Sequence, residues 1–180
     1  MSAAAKTAKT AQKPAPPAWL NPKLPTARRV RELISQMTLK EKVLQMLNDA
    51  PEIPHLGIPA YNWWSECLHG VGRAGIATVF PQAIGMAASW DEDLMLRVAT
   101  AISDEARAKH HEAAKRGYRG IYQGLTYWSP NINIFRDPRW GRGHETYGED
   151  PYLTGRMGIA FVKGLQGSHP KYLKLVATAK

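Results

Sequence analysis

Three charged side chains of different chemistry stand at the ends of strand-like apolar runs. Glu66 closes the first run, Arg142 lies in the loop after the second, and Lys180 ends the third. A carboxylate accepts from two vicinal hydroxyls, while a guanidinium and an ammonium donate to others, so the set forms a polar clamp suited to a polyhydroxylated ligand. The same residue types also describe a structural salt-bridge network, and spacing alone leaves both readings open. Tyr61, Trp63, Trp64, Tyr127, Trp128 and Trp140 lie beside the same ends. One or two of these flat faces could stack on the apolar face of a sugar ring, the rest serving the core.

Other reactive residues read as structural. Asp137, Glu145, Glu149 and Asp150 surround a basic run, and cleavage of a glycoside needs two carboxyl groups across the scissile bond. Their spacing identifies no such pair. Asp137, ahead of Pro138, is expected to cap a turn or to pair with Arg139 or Arg142, and Asp150 to cap a helix. His69 reads as a hydrogen-bonded loop residue, and His110 and His111 as solvated positions late in an exposed helix. Cys67 reads as a small packed side chain without an activating base. No Cys/His cluster has zinc-ligand spacing, and neither a metal nor another cofactor is expected.

The elements that position these residues follow from periodicity. Val30, Leu33, Ile34 and Met37 recur at helical spacing from Thr26. Thr38 and Glu41 have the separation of a capping box, ahead of a stripe of Leu39, Val43, Leu44 and Leu47 that Pro51 and Pro54 stop. Leu56 to Ser65 reads as a strand. Phe80 to Ala88 is a short helical piece, and Asp91 opens a long helix through about Ala114, buried through Leu94, Val98, Ile102 and Ala106. Leu125 to Phe135 is a second strand. Asp150 followed by Pro151 starts another helix, which closes near Gly164 or Gly167. Tyr172 to Ala179 is the last strand. Strand, helix, strand, helix, strand is the order of an α/β fold with parallel strands. A closed eight-stranded β/α barrel takes about 250 residues, so the expectation is an incomplete TIM-type (β/α)8 barrel, its first three parallel strands with their helices. The last strand, uncovered and unpaired on one side, should favour aggregation.

The chain has 180 residues, 44% of them hydrophobic, and a net charge of +9. Nine Lys and Arg against Glu32 and Glu41 place most of that excess before Met46. Residues 1–25, rich in Ala, Lys and Pro, are expected to form a flexible basic lead, with 26–180 as the folded domain. The lead lacks aromatic residues before Trp19, so no nucleic-acid partner is expected. No apolar run reaches the roughly 18 residues of a membrane span, and none has the form of a secretory signal, which leaves localisation and oligomeric state open.

The segments Tyr61-Asn62-Trp63-Trp64-Ser65-Glu66-Cys67-Leu68-His69-Gly70, Phe80-Pro81-Gln82-Ala83-Ile84-Gly85 and Ser129-Pro130-Asn131-Ile132-Asn133 make a distinctive set. Asp137-Pro138-Arg139-Trp140-Gly141-Arg142, Gly148-Glu149-Asp150-Pro151-Tyr152 and Val176-Ala177-Thr178-Ala179-Lys180 complete it. Together they resemble the N-terminal domain of family 3 glycoside hydrolases, the β-glucosidase and β-xylosidase group. The resemblance implies a β/α barrel followed by an α/β sandwich, and retaining, exo-acting hydrolysis of a β-linked oligosaccharide or aryl glycoside. It matches Glu66, Arg142 and Lys180 to the positions that hold the sugar next to the cleaved bond. Many β-glucosidases of the family have Asp where this chain has Glu66, and the longer side chain resembles the β-xylosidase and α-arabinofuranosidase branch. The extra methylene would crowd a hydroxymethyl group and favour a pentose. By the same resemblance the nucleophilic Asp and the acid/base Glu lie beyond residue 180, so no catalytic residue is assigned here and the chain is expected to be an inactive fragment. A non-catalytic carbohydrate-binding protein is the alternative.

Overall fold

The computed structural model describes residues 16–180, and the chain divides between Val43 and Leu44 into two compact units. Positions 1–15 of the expected basic lead lie outside the described residues. In the first unit a 3-10 turn at Ala18–Leu20 precedes helix α1, Thr26–Gln36, and Arg29 Nε donates to Trp19 O at 2.8 Å. The capping box is present in both directions. Glu41 N donates to Thr38 Oγ1 at 3.2 Å, and Thr38 N donates to Glu41 Oε2 at 2.8 Å. Helix α2, Leu39–Leu44, closes three residues before Leu47. No residue of α1 or α2 is fully buried: Leu33, Met37 and Leu44 are half-buried, while Val30, Ile34, Leu39 and Val43 are exposed.

The second unit is built on two helices in direct contact. Helix α4, Glu92–Lys115, follows the short α3, Ala83–Ala87, and is capped by Asp91, whose carboxylate accepts from Leu94 N. Helix α5, Pro151–Gln166, is capped in the same way by Asp150. Asp150 therefore caps its helix as expected, and Asp91, expected to open α4, does so by the same bond. The buried face of α4 is Met95, Ala99, Ile102, Ser103 and Ala106, while Leu94 is exposed. Of the expected stripe, Ile102 and Ala106 are buried and Val98 is half-buried against the core, so only Leu94 is turned out, in favour of Met95, Ala99 and Ser103. The cause is the close approach of α5 at Gly164, where a Cβ atom would lie 2.5 Å from Ala99 Cβ. A larger side chain on that face of α4 would hold the helices apart.

Strands are short. β1, Asp49–Ala50, and β2, Tyr61–Asn62, pair antiparallel. β3, Thr126–Tyr127, and β4, Val176–Ala177, pair parallel, with Thr126 opposite Val176 and α5 in the connection. The architecture is mixed α/β, but the three parallel strands expected from sequence are represented by one parallel pair. The first candidate strand turns back on β1 through a 3-10 turn at Pro54–Leu56 and Gly57, whose φ of 65° is the left-handed conformation glycine tolerates. It reaches the β3 segment by a single backbone bond beyond β2, Trp128 N to Ser65 O at 2.9 Å. Beyond Tyr127 the second candidate strand keeps backbone bonds to the last segment, Thr178 N to Ser129 O and Lys180 N to Pro130 O, and Asn131 Oδ1 then accepts from Asn133 N in a local turn. Among the described residues no helix is long and apolar enough to cross a membrane.

Candidate functional site

Glu66 follows β2 on a stretch whose backbone is fixed at both ends. Ser65 O accepts from Trp128 N, and Glu66 O accepts from Gly72 N at 2.8 Å. Its carboxylate accepts from Trp64 Nε1 at 3.1 Å and lies 3.5 Å from Arg73 Nε. Lys180 is held by backbone bonds on both sides, its N–H donating to Pro130 O and its carbonyl accepting from Ile132 N. Arg142 caps the 3-10 turn Gly143–Glu145. That turn packs so tightly on the Phe135 ring that Gly143 has no room for a Cβ atom.

These three segments meet around one hollow of about 440 Å³, lined by Glu66, Trp128, Arg142, Glu145, Lys180 and neighbouring loop residues. That volume lies within the range of small-molecule pockets. Glu145 joins the two cations. Its carboxylate accepts from Arg142 Nε at 2.6 Å and Nη2 at 2.7 Å, and from Lys180 Nζ at 3.3 Å. The Glu145 side chain is only 14% exposed, whereas Arg142 is 64% exposed. The Arg142 hydrogen bonds hold the Glu145 carboxyl down at about 2, with Lys180 adding to that effect and partial burial opposing it. The Arg142 guanidinium is raised in turn by the same hydrogen bonds. Each cation keeps N–H groups beyond those Glu145 takes, since a guanidinium carries five and an ammonium three.

Among the aromatics, Trp128 is the one that lines the hollow, stacked on Trp64 with ring centroids 4.1 Å apart and inclined to Trp63 at 5.6 Å. Tyr127 is buried in the core, Tyr61 OH shares a hydrogen bond with Thr126 Oγ1, and Trp140 sits against Phe135. Below the hollow, Cys67 is fully buried, and burial pushes its thiol up to about 12. Among the described residues no group of three His, Cys, Asp or Glu side chains could hold a metal ion. Chemically the hollow offers fixed acceptors, fixed donors and one indole face, which is the equipment for holding a ring of hydroxyls.

Residues 27–180 match the glycosyl hydrolase family 3 N-terminal domain. The chain belongs to glycosyl hydrolase family 3. It is similar to a probable β-D-xylosidase 7 of Arabidopsis thaliana, 51% identical over 80% of this chain and 19% of the relative. A xylan 1,4-β-xylosidase of Xylanibacter ruminicola is 50% identical over 90% of this chain and 19% of its own length. In structure it resembles a family 3 exo-β-xylosidase solved with a xylobiose aziridine probe, with a TM-score of 0.80 and 37% identity over 90% of this chain and 21% of that one. A β-glucosidase from Erythrobacter marinus aligns with a TM-score of 0.71 and 29% identity over 91% of this chain and 26% of that one. The chain spans about a fifth of the length of the curated family 3 relatives it matches.

The side chains taken from sequence as a clamp thus face one hollow, and the sequence reading missed Glu145, which was assigned a structural role. Its signal was the separation from Arg142, which a 3-10 turn converts into a two-pronged ion pair. Asp137 pairs with Arg139, at 2.7 Å, rather than with Arg142. His69 Nδ1 lies 2.9 Å from Phe80 O, as expected of a hydrogen-bonded loop residue. His110 differs from expectation. It is half-buried, with Nδ1 2.7 Å from Gln123 O, because the chain after α4 folds back over that face.

Proposed function

We propose that Glu66, Arg142 and Lys180 hold the hydroxyls of a β-linked sugar in an exo-acting, retaining family 3 glycosidase of the β-xylosidase type. The observation that carries the reading is the meeting of these three groups, from segments far apart in sequence, around one hollow that also receives Trp128. Glu66 accepts from two hydroxyls, Arg142 and Lys180 donate to others, and the indole covers an apolar ring face. The Trp64 hydrogen bond fixes the longer Glu66 side chain, and in this reading its extra methylene crowds a hydroxymethyl group and favours a pentose. Residues 26–180 belong, in this reading, to the opening part of a TIM-type barrel with three parallel strands. The β3–β4 pair and the Ser65–Trp128 bond support it. A retaining mechanism needs a nucleophile and an acid/base carboxyl about 5 to 5.5 Å apart, and both are assigned outside residues 1–180.

Titration with methyl β-D-xylopyranoside and methyl β-D-glucopyranoside tests the grip. Arg142→Ala and Lys180→Ala should each weaken xyloside binding by roughly 10-fold or more, the effect of losing a hydrogen bond to a charged group. Equal affinity in all three proteins would remove the clamp. Hydrolysis of an aryl β-xyloside is expected only from a version extended with the rest of a relative's barrel, and turnover by residues 1–180 alone would overturn the assignment of both carboxyls.

A further inference from the structure

We infer that Glu145 is a positioning residue for the sugar site: one carboxylate sets the places of both cations, Arg142 and Lys180, before a ligand arrives. The inference rests on the reading of those cations as sugar-binding groups. Both oxygens of Glu145 are engaged, Oε1 by Arg142 Nε and Oε2 by Arg142 Nη2 and Lys180 Nζ, so its lone pairs are directed at the cations. One oxygen accepting from both brings two like charges close together, an arrangement that repels itself unless an anion lies between them. The fork of Arg142 meets the carboxylate in parallel bonds, which fixes the guanidinium plane as a single bond would not. Lys180 contributes a flexible four-carbon stem, and its ammonium is held at the hollow by its bond to Glu145. Burial separates the roles. Glu145 is mostly covered while Arg142 reaches solvent, so the anion forms the floor of the arrangement and the cations its working surface.

A groups-in-place mechanism of this kind lowers the ordering cost of binding, and it predicts that loss of Glu145 acts through Arg142 and Lys180. The measurement is the affinity of the chain for methyl β-D-xylopyranoside in wild type, Glu145→Gln, Glu145→Asp, Arg142→Ala, Lys180→Ala and the Glu145→Gln/Arg142→Ala double variant, with a thermal unfolding curve for each. Glu145→Gln is expected to weaken binding at least 10-fold, and in the Arg142→Ala background to add clearly less than it costs in wild type, the remainder passing through Lys180. Glu145→Asp keeps the charge but is too short to span both cations, so it should fall between wild type and Glu145→Gln. It also provides the comparison if Glu145→Gln fails to fold. Wild-type affinity in Glu145→Gln and Glu145→Asp, or a full additive loss in the double variant, overturns the positioning role while leaving the sugar site intact. If the wild-type chain does not bind, or Arg142→Ala and Lys180→Ala bind as wild type does, the site reading falls and this role falls with it.

Discussion

Glu145 shows how an ion pair becomes a pH dependence. Its carboxyl titrates at about 2 in the folded chain against an ordinary 4.5, because Arg142 donates two hydrogen bonds to the ionised form. Between those values the unfolded chain binds more protons, so the contribution to stability is complete above about pH 4.5 and is lost as pH falls toward 2. Solvent on the Arg142 side screens the pair, which reduces the nominal effect to on the order of 1 kcal/mol. Urea unfolding at pH 6 and pH 3 should therefore show the gap between wild type and Glu145→Gln narrowing by about that amount at the lower pH. A gap that stays constant would mean the carboxyl is not held by Arg142 in solution. Residue types and order identified Glu66, Arg142 and Lys180 from sequence. The anion between two of them was not legible, because a carboxylate near a basic run has many partners within reach until the chain path selects one.

At the level of elements, the contact between α4 and α5 sets the packing of the second unit, and two glycines of α5 report on it with opposite sign. A Cβ at Gly164 would lie 2.8 Å from Leu96 O and 3.0 Å from Thr100 N, both backbone atoms that cannot step aside. A Cβ at Gly155 would meet nothing within 4 Å. Gly164→Ala is accordingly expected to destabilise by roughly 1–3 kcal/mol through overpacking. Gly155→Ala is expected to stabilise by about 0.5–1 kcal/mol through helix propensity alone. Denaturant midpoints of the two variants check the pair, and a shift of the same sign in both would contradict the helix contact. Helix ends were legible because Asp91, Asp150 and the Thr38–Glu41 box act on amides one turn away. The buried face of α4 was legible at Ile102 and Ala106 but not at its first turns, since hydrophobicity ranks Leu94 above Ala99 while the neighbouring helix selects the smaller side chain.

Considered whole, the second unit has a covered side and an uncovered one. Ile132 and Ile159 are exposed at a hollow of about 640 Å³ lined chiefly by α5 and the segment around Ile132, and β4, with Val176 exposed, has a ladder partner on one side only among the described residues. Exposed apolar surface next to a free strand edge favours association. Light scattering is expected to show self-association that grows with concentration. Ile159→Lys should reduce it while changing stability by no more than about 0.5 kcal/mol, as a solvent-facing substitution does. A monodisperse monomer of the unmodified chain would contradict this. The sequence by itself determined the main helices with the acidic residues that start them, the family, and which charged residues were candidates for a sugar clamp, because each of these depends on residue types and near-neighbour spacing. Tertiary structure decided which strands pair, which face of the first turns of α4 is buried, and that Glu145 lies between Arg142 and Lys180. Those depend on distances between groups remote along the chain, which only the folded path of the backbone brings within reach of a hydrogen bond.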